Sequence, residues 1–266
     1  MNTIAHVVNP VNPPRGSDLH VAQPVTFESM RQAKKFMRNP GNVEHLATSY
    51  PEDAMVVPDD FRSLAPLDRS VLDFGEFSSN RKLPLLSDIL YRAYNESEAD
   101  YIIYSNADIA IQPYFYEVIS DLIRQGCESF IINRRTISSI HHDPKHLGIM
   151  CAQVGVSHPG YDCFVFPRRT CPDLLLDGVC IGAAGVGLAL MLNLYSLYET
   201  FTVMEDYHLT FHIGNDRVWK NADNDDLRAH NYRELNRIIG ELESKHGKFD
   251  EQLPGHSYGY IREHCR

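Results

Sequence analysis

The 266-residue chain has no apolar run near the ~20 residues that a membrane-spanning helix needs. The longest, Ile181 to Leu194, is rich in Gly and Ala and too short, so no membrane span is expected. The first ten residues, MNTIAHVVNP, carry neither a basic start nor a long apolar stretch, and no secretory signal is expected. Internal repeats and Gly/Ser linkers are missing. The six cysteines form no C-x-x-C pair, which argues against a structural zinc site; spread this thinly, they read as buried thiols of a cytoplasmic protein. Positive charge is scarce: 25 Lys+Arg stand against 35 Asp+Glu, a net charge of −10, which disfavours a broad nucleic-acid-binding surface while leaving a local basic pocket open.

What is present is ordinary globular composition, 43% hydrophobic and 23% charged, which excludes collagen, low-complexity disorder and a coiled coil. Ile4 to Val8 is short, β-branched and stopped by Asn9-Pro10, as in a buried first strand. Residues 9–18 hold three prolines and read as a loop, and the pattern Phe27, Met30, Ala33, Phe36 predicts a helix capped by Thr26. Residues 39–80, interrupted by four prolines, offer only strand-like pieces at 54–57 and 70–72. A helix is expected over 82–95 with Pro84 in its first turn, then a fully apolar strand over 100–105. A helix over 113–125 closed by Gly126 and a strand over 129–133 follow. Further on, 162–166 and 207–213 read as strands and 186–197 and 226–246 as helices. The last twenty residues, rich in Gly, His and Tyr, read as a surface tail or lid. The β-α-β-α-β order predicts an α/β fold with a mostly parallel central sheet flanked by helices.

The segment YIIYSNADIAI, Tyr101 to Ile111, places a polar cluster where a buried strand emerges, and ligands bind at the carboxyl ends of strands in open α/β sheets. A lone carboxylate there, Asp108, is costly beside an apolar sheet unless a cation or hydrogen bonds satisfy it. Two readings fit: Asn106 and Asp108 cap a turn, or Asp108 holds a hard divalent cation that bridges to phosphate oxygens.

Asn106-Ala107-Asp108 after a hydrophobic strand resembles the D-x-D motif of nucleotide-sugar glycosyltransferases with the GT-A fold, with an amide in place of the first acid. The preceding RKLPLLSDILYRAYNESEADYIIY resembles the helix that leads into that motif, which implies that Arg81 or Lys82 approaches the nucleotide or its diphosphate. Tyr207 to Trp219, YHLTFHIGNDRVW, resembles the late His-Gly-basic-Trp signature of glycogenin-like and galactosyltransferase-like members. The resemblance implies that His212 joins Asp108 in holding Mn²⁺ or Mg²⁺, and that Gly214 and Arg217 meet the diphosphate. The chemistry agrees: imidazole suits Mn²⁺, Gly lets backbone approach a phosphate, and Arg offers a forked donor. Held just after the first strand, base and ribose would meet Asn9, Pro10 and Val11, with Gln23 and Thr26 nearby. The resemblance spans residues 4–220 and implies one GT-A-like catalytic domain over 1–220, with a C-terminal helix and tail, 221–266, packed on it.

In HPGYDCFVFPR, His158 to Arg168, Asp162 either caps a turn or, as the resemblance implies, holds the donor sugar or serves as general base. The glycines of CIGAAGVGLALM, Cys180 to Met191, lack a βαβ start and a later acidic partner, so close packing or room for a sugar explains them better than a dinucleotide loop. IHHDPKH, Ile140 to His146, reads as a solvated loop or a zinc site, with Pro144 breaking helical His spacing. The expected function is metal-dependent transfer of a sugar from a nucleoside-diphosphate sugar, UDP-sugar favoured and GDP-sugar possible, to an unidentified acceptor. A catalytically inactive nucleotide- or sugar-binding module, which Asn106 would suit, and a nucleotidyltransferase are the alternatives; the latter's Gly-rich signature has no counterpart in residues 9–18, where Gly16 stands alone.

Overall fold

The computed structural model describes residues 2–205, 207–214 and 225–264. Its strands and helices follow in the order β1 (Ile4–Val8), α1 (Asp18–Phe36), β2 (Val43–Ala47), β3 (Arg62–Ser63), α2 (Leu86–Glu96), β4 (Tyr101–Ser105), β5 (Ala110–Ile111), α3 (Phe115–Arg124), β6 (Phe130–Ile137), α4 (Leu147–Cys151), β7 (Val156–Pro167), α5 (Val186–Leu197), β8 (Thr202–Met204), β9 (Thr210–Ile213), α6 (Asp225–His246), β10 (Gln252–Leu253), β11 (His256–Ser257) and α7 (Tyr258–His264). Nine strands form one sheet in the order β3-β2-β1-β4-β7-β6-β9-β5, with β8 also on β6. Pairing is parallel except at β4–β7, β6–β7 and β5–β9. All five residues of β1 and of β4 are buried, because helices cover both faces.

Side-chain alternation sorts the core into two layers. Ala5, Val7, Ile102, Tyr104, Phe164 and Phe166 meet α2, α5 and α6 on one face. Ile4, Val8, Ile103, Cys163 and Val165 meet α1 and α3 on the other. At roughly 25 cal/mol per Å² of buried apolar surface, these layers supply the dominant favourable contribution to folding.

Several elements depart from the sequence reading. The first long helix begins at Asp18, not Thr26, and carries Pro24 inside it. Gln23 holds the preceding loop to this helix, accepting from Val11 N–H and donating to Val11 C=O, both at 3.0 Å. The strand pieces expected at 54–57 and 70–72 are 3₁₀ turns, Pro51–Val56 and Val71–Phe74; the latter is fixed by a Ser70–Asp73 capping box. The real strand of that region, β2, lies earlier. Residues 82–85 are not helical: Leu83 N–H closes a tight turn on Arg81 C=O and Leu85 is bridged to Cys180, so the second helix starts at Leu86. The final residues, read as a surface tail or lid, form a β10–β11 hairpin and α7 in which Leu253 and Ile261 are buried. No helix of the described residues is long and apolar enough to cross a membrane.

Candidate active site

A cleft of about 510 Å³ opens at the carboxyl ends of β1 and β4 and is walled by β6, β7, β9 and the N-terminal end of α5. β1 ends in Asn9, which faces the cleft; its Nδ2 donates to Thr48 C=O at 2.7 Å, and its Oδ1 is buried with no partner. Val11 also lines the cleft, whereas Pro10 does not. β4 ends in a tight turn closed by Ile109 N–H on Asn106 C=O at 3.1 Å, which turns Asp108 back over the sheet edge.

Parallel pairing with β6, which sets His212 opposite Thr136, brings β9 to the same edge, and His212 Nε2 lies 3.3 Å from Asp108 Oδ2. Gly214, at φ +74, takes a conformation that suits glycine and turns its carbonyl to within 2.9 Å of His212 Nδ1. A carbonyl only accepts, so Nδ1 carries the proton, and in the neutral ring the Nε2 lone pair would face a carboxylate oxygen. Only a proton or a cation between them relieves that contact. A histidine that donates its other ring N–H to a carbonyl is the usual arrangement of a metal ligand. Burial favours neutral forms at both groups, but the hydrogen bond and the charges outweigh it. Asp108 stays below its ordinary pKa, with Arg134 adding to the effect of His212, and His212 is raised by Asp108. Asp108 Oδ1 is buried without a partner. Oxygen and imidazole donors with an orphaned lone pair fit Mn²⁺ or Mg²⁺. Among the described residues no group of three His, Cys, Asp or Glu is placed to hold a metal, so a cation here would take further ligands from the substrate. This holds for His141, His142 and His146 as well.

Asp162 lies within β7, opposite the end of β4. Its carboxylate is 13% exposed and sits 2.8 Å from Arg134 Nη1 of β6. Burial raises its pKa, Arg134 opposes that, and the charge of Asp108 reinforces it. Asn106 lies between the two strands, accepting from Tyr104 OH at 3.1 Å and donating to Asp162 Oδ1 at 3.3 Å.

Arg81 lines the cleft. Lys82 does not: its Nζ pairs with Glu52 at 2.8 Å and sits 3.9 Å from the centre of the Tyr50 ring, which removes it from the expected diphosphate contacts. Gly214 acts through His212 and is not part of the lining. Arg217 and Trp219 lie outside the described residues. Gly182, Gly185 and Gly187 form the wall at the start of α5; a Cβ on Gly187 would stand 2.7 Å from Tyr161 O, so close packing accounts for this glycine. The sequence reading missed Arg134, Tyr104, Tyr232 and His256 as lining residues. Arg134 had a usable signal, a cation two residues past the apolar run Phe130 to Ile132; His256 had none, since only the hairpin fold brings it back.

No family model matches the chain, and no curated protein matches it in sequence. Solved structures do match in fold. S. aureus TarS 1–349 in complex with UDP-GlcNAc aligns with a TM-score of 0.53 at 8% identity, over 89% of this chain and 66% of that one. The chain thus spans just under two thirds of the length of TarS 1–349. Glucosyl-3-phosphoglycerate synthase from Mycobacterium tuberculosis, in complex with Mn²⁺, UDP and phosphoglyceric acid, aligns with a TM-score of 0.50 at 14% identity, over 94% of this chain and 80% of that one. Together with the curled, mostly parallel sheet and its flanking helices, these likenesses show that the chain has the GT-A-like fold of nucleotide-sugar glycosyltransferases.

Proposed function

We propose that this protein is a metal-dependent glycosyltransferase that moves a sugar from a nucleoside-diphosphate sugar, with UDP as the favoured nucleotide, to an acceptor bound in the same cleft. The observation that carries the reading is the convergence of Asp108 and His212, distant in sequence, to 3.3 Å at the cleft edge. The two structural neighbours were each solved with UDP or a UDP-sugar, and one of them with Mn²⁺. In this reading Asp108 and His212 hold Mn²⁺ or Mg²⁺, which, when bound, stabilises negative charge on the departing diphosphate. Arg81 and Arg217 neutralise phosphate oxygens, and Asn9 with Val11 receives the base and ribose. Asp162, ion-paired to Arg134, orients a sugar hydroxyl or takes the proton of the acceptor hydroxyl. Residues 1–220 form the catalytic unit and 221–266 a segment packed on it. The five described cysteines are free, which suits a reducing cytoplasm.

Thermal unfolding with UDP, GDP or CMP, each with and without Mn²⁺, tests the proposal. One diphosphate at about a hundredfold excess over Kd stabilises the wild type by about 2.7 kcal/mol, a shift of several degrees, only when Mn²⁺ is present. Asp108→Ala loses that shift. Equal shifts in both proteins remove Asp108 from the site. A binding module without catalysis, the second reading that Asn106 raises, would bind UDP yet release none from UDP-glucose or UDP-GlcNAc.

A further inference from the structure

The amide at position 106 stands where the resemblance expects a metal-binding acid, but its contacts give it different work. Tyr104 OH donates to Asn106 Oδ1 at 3.1 Å, while Asn106 Nδ2 donates to Asp162 Oδ1 at 3.3 Å. The backbone repeats the link, Asn106 N–H donating to Asp162 C=O at 3.3 Å. On its other side Asp162 meets Arg134 Nη1 at 2.8 Å through Oδ2. An ionised carboxylate only accepts, so the group facing Asp162 Oδ1 must donate, and an aspartate in this place could not. Two carboxylates would then face each other with Asp108 close by, and like charges in a poorly solvated site repel.

We infer that Asn106 is a positioning residue: its hydrogen bond to one oxygen of Asp162, with the Arg134 ion pair at the other, fixes that carboxylate in the cleft, and it is not a weakened metal ligand. The inference rests on the reading of Asp162 as the group that handles a sugar or acceptor hydroxyl. It accounts for the departure from D-x-D as a requirement of the site and not as a loss. Arg134→Lys keeps the charge but not the fork, so it preserves part of the grip.

The test is to restore the acid. Asn106→Asp, Asp162→Asn, the exchanged pair N106D/D162N and Arg134→Lys are compared with the wild type. The readouts are UDP release from UDP-glucose and UDP-GlcNAc with Mn²⁺, calorimetric binding of UDP with Mn²⁺, and thermal unfolding. Asn106→Asp binds UDP and Mn²⁺ much as the wild type does, turns over about tenfold slower or worse at little change in donor KM, and unfolds at a lower temperature. The exchanged pair, in which residue 162 becomes the donor, recovers the unfolding temperature but not the turnover. Arg134→Lys falls between the wild type and Asn106→Asp in turnover. Asn106→Asp that matches or exceeds the wild type in turnover, or an exchanged pair that recovers it, overturns the inference alone. A wild type that binds UDP but releases none from either sugar overturns the transferase reading and this inference with it.

Discussion

His212 shows how much of the site a single side chain decides. Its Nδ1 is committed to Gly214 C=O, so the ring presents one remaining nitrogen, aimed at Asp108. Replacing it leaves the Asp108 carboxylate beside the sheet without its compensating charge. His212→Ala is therefore expected to weaken Mn²⁺ binding in the presence of UDP by about tenfold or more, while binding of UDP without a cation stays unchanged. Titration calorimetry with and without Mn²⁺ reads both. At this scale the sequence carried the two termini of the argument: Asp108 stood out as a carboxylate ending a buried strand, and His212 through its alternating strand and following glycine. The pairing of Arg134 with Asp162 across β6 and β7 was not legible, because partners across strands depend on a sheet order that no local pattern encodes. Lys82 shows the reverse error, a cation adjacent in sequence to the cleft that Glu52 and Tyr50 hold elsewhere.

Among the elements, α5 and β7 illustrate what hydrophobic pattern can and cannot foresee. α5 was legible to the residue, since a long, mostly apolar run after glycines has few other solutions, and the apolar half of β7, Cys163 to Phe166, was equally plain. The polar half, Val156 to Gly160, was missed because it is largely exposed and contains Pro159. β2 was missed because His45 and Glu44 interrupt its apolar face; in the fold His45 is buried against Phe61 and Tyr116. α1 was read as starting late because the apolar pattern Phe27, Met30, Ala33, Phe36 places its start at a Thr26 cap, whereas the helix runs from Asp18. The two legible elements meet at Gly187, where backbone replaces a side chain against Tyr161. Gly187→Ala must push α5 off β7, and a destabilisation of about 1–3 kcal/mol is expected in urea unfolding at an unchanged m-value.

For the molecule as a whole, a buried polar chain couples stability to acid. His6 contacts Tyr116 OH and Ser105 Oγ at 2.8 Å each, and Tyr116 OH contacts His45 Nε2 at 3.2 Å, all inside the α3 layer. Burial, aided by repulsion from His45, pushes His6 well below its ordinary value. Burial with the charge of Lys34 lowers His45 to about 3, against an opposing pull from Asp60. Both folded-state values lie below the unfolded one, so the unfolded chain binds more protons in acid. Stability is thus intact above about pH 6.5 and is lost as pH falls from there toward 3. Two such groups give a slope approaching 2.7 kcal/mol per pH unit, and His45→Gln is expected to flatten it by about half between pH 6 and 4 in urea titrations.

The sheet order adds a constraint on synthesis. β7 is inserted between β4 and β6, both of which precede it in the chain. A nascent polypeptide that has emerged only as far as β6 therefore holds two open strand edges with nothing to fill the slot between them. Ribosome-bound intermediates halted before residue 156 should depend on chaperones and be readily cleaved by protease, and resistance should arrive in one step once Pro167 has cleared the exit tunnel.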